Sequence, residues 1–484
     1  MPEASLTRRK LFLILATTTA LSALALTAAR ARDVPKVVTG FVANILCSET
    51  FVSGQQPDRI ISETTAAMPG VNLITWALDY KVDLVRKDAT VTLLGFGRSH
   101  AVYRAGFGCY LDHGDAVADI SMPSDIKPSQ GLLPHIAGAA PVAPANPQLA
   151  AALDRAFAEP EKSPPRATKA VVVVKDGKVV AERYAAGYGI DTPILGFSAT
   201  KSVMSALTGI LVRKGALTLD QPMPVAAWQG RDDPRGAITV DQLLRHTAGL
   251  ALGGSLDASL GAAFEPVNRM KFMESDMAAY AESIGLATPP GSAWNYNDGN
   301  FIILSHLIRN AAGGRASDLM RFAHQELFGP LGMRNVTIEF DASGNPEGSS
   351  QMLASARDWA RFGTLYLNDG VAGGRRILPE GWVQYSASPT PNAWVGMSAG
   401  FWTNLGDSFG ANYRIEHGWP RDAFFAKGTI GQYVIIIPSE KLVIVRLGRS
   451  PNWPPAADGV FALVRDVIAA TGSKGKVAKA NRGE

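Results

Sequence analysis

Two β-hairpin patterns stand at opposite ends of one long stretch of this chain, and they limit its fold more than any other feature. The first runs over Lys169–Tyr184: an apolar run Val171–Val174, a turn at Asp176-Gly177, then Val179-Val180. Asp-Gly between apolar runs is a strong hairpin signal, because both residues tolerate positive φ. The second has Tyr433–Ile437 and Leu442–Leu447 flanking Pro438-Ser439-Glu440-Lys441, and Val460–Ala470 follows with helical spacing. A helix is expected just before the first hairpin, over Gln148–Ala158. Between the hairpins, roughly residues 200–390, helical patterns and loops dominate and no internal repeat is found. Strands at both ends with helices between them predict an α+β unit.

At 484 residues the chain is long enough for two folded units. The Ala/Pro-rich stretch at 138–147 reads as a linker. It separates a small N-terminal α/β domain over 32–137 from the larger unit at 148–472, and a polar tail follows at 473–484. In the smaller unit Val37–Leu46 and Ala89–Phe96 are expected as strands, and Gly106-Phe107-Gly108-Cys109 as a turn into another. The chain has two cysteines, Cys47 and Cys109. In an exported protein such a pair reads as one disulfide; the alternative is two buried free thiols.

Export is expected from the first residues. Thr7 to Leu13 reads T-R-R-K-L-F-L, an uncharged apolar stretch runs to Ala29, and Ala29-Arg30-Ala31 has the small-x-small pattern of a cleavage site. The paired arginines resemble a twin-arginine signal; an ordinary secretory signal and an uncleaved anchor are the alternatives. Cleavage near Ala31 would leave a periplasmic or secreted protein, with membrane contact only if the segment is retained. The formal charge of +4 falls to about +1 without residues 1–31, and no basic run carries interleaved aromatics. A nucleic-acid partner is therefore not expected. With 46% hydrophobic and 19% charged residues, disorder and coiled coil are disfavoured.

Ser198-Ala199-Thr200-Lys201 is an S-x-x-K sequence. On a helix, residues three apart share a face, so the lysine lies against the serine hydroxyl. A free serine hydroxyl is a poor nucleophile and needs such a neighbour. The sequence alone is common. Ser124-Asp125-Ile126-Lys127 and Ser473-Lys474-Gly475-Lys476 also match, but Pro128 follows the first and neither opens an apolar helical stripe. Behind Ser198, Val203, Leu207, Ile210 and Leu211 recur at helical spacing. Taken alone, Ser198 would be read as a helix cap.

Three further motifs follow in order: Leu243-Leu244-Arg245-His246-Thr247-Ala248-Gly249-Leu250, then Pro290-Gly291-Ser292-Ala293-Trp294-Asn295-Tyr296-Asn297-Asp298, then Ala426-Lys427-Gly428-Thr429-Ile430-Gly431-Gln432-Tyr433. Together with Ser198 and Lys201 they resemble the penicillin-recognising serine hydrolases, over about residues 150–470. This group includes class C β-lactamases, related esterases, D-stereospecific peptidases and 6-aminohexanoate-oligomer hydrolases. The resemblance implies a β-lactamase/transpeptidase-like layout, an antiparallel sheet flanked by helices plus an all-helical subdomain.

It also implies roles. Ser198 would be the nucleophile, Lys201 and Tyr296 its base system, and the N–H groups of Ser198 and Thr429 the oxyanion hole. Gly428, Ile430 and Asp298 would bind substrate, Gly428 by letting it approach the backbone closely. Asp298 departs from the usual Asn of the Tyr-x-Asn motif; an acid there would favour a cationic or amine-bearing substrate group. Ala426 replaces the cation that many members use to bind a carboxylate, with Lys427 at the threonine position, which moves the expected substrate away from penicillins. The G-x-x-G-Q pattern looks more like the esterase and aminohexanoate-oligomer branches. The expected ranking is carboxylesterase, linear amide hydrolase, D-peptidase and β-lactamase, acting on a small ester or amide; a binding or sensing protein of the same fold is the alternative outside enzymes. His246 is read as structural, and His324 and His417 as surface or core residues. Gly196-Phe197-Ser198-Ala199-Thr200 lacks the closing glycine of a G-x-S-x-G elbow. No cofactor is expected, and no His/carboxylate cluster points to a metal.

Overall fold

The computed structural model describes residues 33–124, 126, 131–161, 164–255, 264–451 and 459–472. The segment expected to be an export signal, the polar tail and most of the Ser124 and Ser473 motifs lie outside the described residues.

Helix α1 spans 33–51. It is followed by α2 (Pro57–Ala67) and the single turn α3 (Pro69–Asn72). An antiparallel meander comes next, β1 (Leu78–Asp83), β2 (Asp88–Leu93), β3 (Phe96–Arg104) and β4 (Gly108–Asp112), each paired with the next. Two expectations are corrected. Val37–Leu46 is the middle of α1, not a strand. Val37, Val38, Val42, Ala43, Ile45 and Leu46 are all buried, so no polar face was left to show a helical period. Ala89–Phe96 is broken at Leu94 and Gly95, both at positive φ, which turn β2 into β3. A leucine at φ 51° gives no sequence signal for a turn. The expected disulfide is present: Cys47 on α1 is bonded to Cys109 on β4, with Cα atoms 6.1 Å apart.

The stretch read as a linker is pinned to the body. Arg357 donates to the carbonyls of Gly138 (2.6 Å) and Ala140 (2.9 Å), and Val142 exchanges two bonds with Glu182. Asn146 then caps α4 (Pro147–Phe157), its side chain accepting from the Gln148 N–H.

The body holds β5 (Thr168–Lys175), β6 (Lys178–Tyr184), β7 (Ile194–Leu195) and α5 (Thr200–Arg213). The helical middle contains α6 (Val240–Leu244), α7 (Pro266–Met273), α8 (Met277–Ser283), α9 (Gly299–Ala312), α10 (Ala316–Ala323) and α11 (Gly329–Leu331). Then come β8 (Val336–Ile338), β9 (Met352–Ala354), α12 (Ala356–Leu367), the small hairpin β10 (Val371–Ala372) and β11 (Arg375–Arg376), and α13 (Trp382–Ala387). The chain closes with β12 (Trp402–Thr403), α14 (Phe409–Glu416), β13 (Phe424–Gly428), β14 (Gln432–Ile437), β15 (Leu442–Gly448) and α15 (Val460–Thr471).

The two hairpins join through β15 and β5, giving a six-stranded antiparallel sheet in the order β12-β13-β14-β15-β5-β6. Its strands are apolar on both faces, as a doubly covered sheet requires. Ala170, Val172 and Val174 enter the main core with α5, α9 and α12. Val171 and Val173 point the other way, into a core shared with α4 and α15. This is the period-2 alternation of a strand used to hold two layers of helices.

The N-terminal elements have their own core, but it does not end at 137. It takes in Leu195, Phe197, Phe272, Leu353 and Ile430 from the body. Phe107, Leu133 and Ile136 in turn enter the main core.

Candidate active site

β7 leads through Gly196 and Phe197 into a single 3₁₀ turn, Phe197–Ala199, which opens α5. Phe197 sits at φ 46°. Ser198 is half-buried on this turn, and everything behind it on α5 from Thr200 to Leu211 is buried. The turn is hemmed in: a Cβ on Gly196 would stand 2.5 Å from the Trp359 ring, and one on Gly428 would stand 2.0 Å from the Gly196 carbonyl oxygen. Glycine is therefore needed at 428 for β13 to lie against the Ser198 turn, a reason separate from the substrate approach the sequence suggested.

Lys201, one helical turn past Ser198, is 1% exposed. Its ammonium donates to Ser198 Oγ (3.2 Å), Asp298 Oδ1 (2.6 Å) and the Ser349 carbonyl (2.8 Å). Burial pulls its pKa down, but the Asp298 carboxylate, then Tyr296, outweigh that and hold it above the usual lysine value. Lys201 is thus an ammonium, with all three N–H donors placed.

Asp298 is the hub. Its second oxygen accepts from Lys271 on α7 at 2.8 Å. Burial opposes its charge, yet the two ammonium groups hold its carboxyl well below the usual range. With both oxygens on lysines, Asp298 is not turned toward a substrate cation, which corrects the role the sequence suggested. It also starts α9, where the helix dipole favours an anion. Lys271 continues the network to Ser350 Oγ (2.7 Å) and stands 3.7 Å from Glu347. Glu347 is 3% exposed and accepts from the Ser350 N–H (2.9 Å). Lys271 and Glu347 escape sequence reasoning: a lone lysine in a short helix and a glutamate in a loop carry no motif.

Tyr296 is buried, its ring centroid 4.5 Å from that of His246 and 5.0 Å from the Lys201 Nζ. Met397 and Val395 close over it. His246, read above as structural, is buried against Tyr296 and Phe301. Burial first, then Lys201, push its pKa down to about 3, so it is neutral. His324 packs on Phe328, and His417 is exposed.

β13 carries the third motif beside the Ser198 turn. Ala426 is buried in the main core, while the Lys427 ammonium lies 4.7 Å from the Trp402 ring centroid and 5.6 Å from that of Tyr433. Thr429 is half-buried beyond Gly428. Ile430 is 1% exposed at φ 55°, in the core with α1. The substrate contact expected of its side chain is therefore corrected: that side chain packs inward. Among the described residues no group of acids, histidines or cysteines is arranged to hold a metal.

An antiparallel sheet between helices, with a serine opening a buried helix and a lysine one turn on, is the layout of a β-lactamase-fold serine hydrolase. Residues 153–469, well over half of the chain, match the family described as Beta-lactamase, and the chain belongs to that family. Over 230 residues it is 26% identical to a 6-aminohexanoate-dimer hydrolase of Paenarthrobacter ureafaciens, covering 45% of this chain and 56% of that one. The match thus spans little more than half the length of that relative. Two solved structures share the fold. One, from Bacillus anthracis, bears the name of a 6-aminohexanoate-dimer hydrolase (TM-score 0.55, 22% identity, 70% of this chain and 89% of that one). The other is a penicillin-binding protein homolog from Caulobacter crescentus (TM-score 0.51, 19% identity, 68% and 98%).

Proposed function

We propose that this protein is an exported serine hydrolase that cleaves a small ester or linear amide through an acyl-enzyme on Ser198. The observation that carries the reading is the Lys201 ammonium, 3.2 Å from Ser198 Oγ and fixed by Asp298 and the Ser349 carbonyl. Such a cation cannot accept the serine proton. Tyr296, against Lys201, takes it as Ser198 attacks the carbonyl, then returns it to the leaving group. The oxyanion rests on the N–H groups of Ser198 and Thr429. Loss of one such donor typically costs about 2.7–4 kcal/mol of transition-state stabilisation. Water then attacks the acyl-enzyme by the same proton route.

The substrate class follows from charge. Ala426 is buried where the family's carboxylate-binding cation would stand, and Lys427 lies over the Trp402 and Tyr433 rings. That disfavours penicillins and supports esters and linear amides of the kind named for the Paenarthrobacter relative.

A fluorophosphonate probe tests the nucleophile. Wild type should be labelled on Ser198, and labelling should be lost in Ser198→Ala and Lys201→Ala; labelling elsewhere, or none on folded protein, would sink the reading. Turnover of short-chain esters or 6-aminohexanoate dimer, with nitrocefin left intact, is the expected substrate pattern. Mass spectrometry of the exported protein should find a mature N-terminus at residue 32.

A further inference from the structure

Phe197 and Ile430 are both non-glycine residues at positive φ, 46° and 55°. One directly precedes Ser198 and the other directly follows Thr429, so each flanks one donor of the proposed oxyanion hole. Such backbone persists only where the surroundings over-determine it. Here most of the surroundings come from outside the family-matched region: both side chains lie in the core built around α1 and the meander, which Leu195, Phe272 and Leu353 of the body complete.

Helix α1 reaches the site by two polar routes. On one side the Glu49 carboxylate, buried, is paired with the Arg449 guanidinium and lies 3.3 Å from Lys169 Nζ. Arg449 in turn sits over the Phe197 ring, 5.7 Å from its centroid, and donates to Thr64 Oγ1 of α2 at 3.0 Å. Burial works against the charge on Glu49, but Arg449 and Lys169 keep its carboxyl below the ordinary value. On the other side Asn44 accepts from the Gln351 side-chain amide, two residues past Ser349, whose carbonyl holds Lys201. Cys47, between these two residues on the helix, is bonded to Cys109.

We infer that α1 is a working wall of the active site, and that Glu49 and Asn44 are positioning residues: Glu49 sets the nucleophile turn through Arg449 and Phe197, and Asn44 sets the Lys201 loop through Gln351. The inference rests on the Ser198 reading above. It gives a role to the disulfide-tied segment that precedes the family-matched region.

The test uses the full chain and the variants Glu49→Gln and Asn44→Ala, with melting curves to show folding, ester kinetics well below the melt, and the rate of fluorophosphonate labelling. Both variants should lose about tenfold or more in kcat with KM changed less than twofold, and label more slowly in proportion. Glu49→Asp, which keeps the charge, should recover part of kcat. A merely structural role would lower the melting temperature and leave kcat intact; that result in either folded variant overturns the inference for that residue. If Glu49→Gln does not melt cooperatively, Arg449→Lys, which keeps the pair but loses the flat contact on Phe197, carries the same expectation. Failure of the underlying reading would look different, since wild type itself would then not label at Ser198.

Discussion

At the scale of single residues, the candidate site centres on one carboxylate shared by two lysines. Asp298 holds Lys201 charged, and Lys271 helps to hold Asp298 charged. Replacing Lys271 by Met removes one of the two cations, so the Asp298 carboxyl should move back up toward the ordinary range. Asp298 would then protonate, and release Lys201, at higher pH than in wild type. The acid limb of the kcat/KM profile should accordingly shift upward. An unmoved limb with reduced activity would show that Lys271 acts by packing alone. Ser198 and Lys201 were legible because three-residue spacing is local and the helix stripe behind them is visible. Lys271 was not, because it meets Asp298 only through the folding of α7 onto the start of α9.

Among the elements, the hairpins announced themselves and α1 did not. Lys178–Tyr184 and Leu442–Gly448 form strands almost where alternation and turn chemistry place them. Helix α1 was hidden because burial all around it erased the polar stripe that marks a helix. Its tie to β4 closes a loop of 62 residues. By constraining the unfolded chain, a disulfide typically contributes about 2–4 kcal/mol. The Cys47→Ser/Cys109→Ser pair should therefore unfold at lower denaturant, with a drop of that size from chemical denaturation. β13 makes a separate prediction. Gly428→Ala places a methyl into the Gly196 carbonyl and must push the strand from the Ser198 turn. Activity should fall by about a hundredfold, the scale of a lost oxyanion donor, in ester kinetics on folded protein.

For the molecule as a whole, the N-terminal segment and the body are joined by buried polar contacts as well as by apolar ones. Glu339, the residue after β8, accepts from Ser48 Oγ of α1 (2.8 Å) and the Cys109 N–H of β4 (2.7 Å). Burial pushes its carboxyl from 4.5 up to about 8, against the pull of those donors. The folded protein then binds this proton more tightly than the unfolded chain. Stability from Glu339 is full below pH 4.5 and is lost as pH rises through about 8, by at most about 1.4 kcal/mol per unit. Glu339→Gln keeps a neutral acceptor and should flatten this slope. Its melting temperature should match wild type near pH 5 and exceed it at pH 9; equal loss in both proteins would show that Glu339 does not link the two parts through its proton.

What the sequence determined by itself is what local spacing can carry. It placed Ser198 and Lys201 one helical turn apart, ordered the tyrosine and glycine motifs, and set two hairpins that had to meet in one sheet. The tertiary structure alone decided the rest. It turned Asp298 from a substrate contact into the anion that keeps Lys201 charged, and set Gly428 at a close backbone crossing. It also ran the N-terminal core under Phe197 and Ile430. Each of these depends on groups tens to hundreds of residues apart in the chain, whose burial and charge exist only once the helices and sheet have packed.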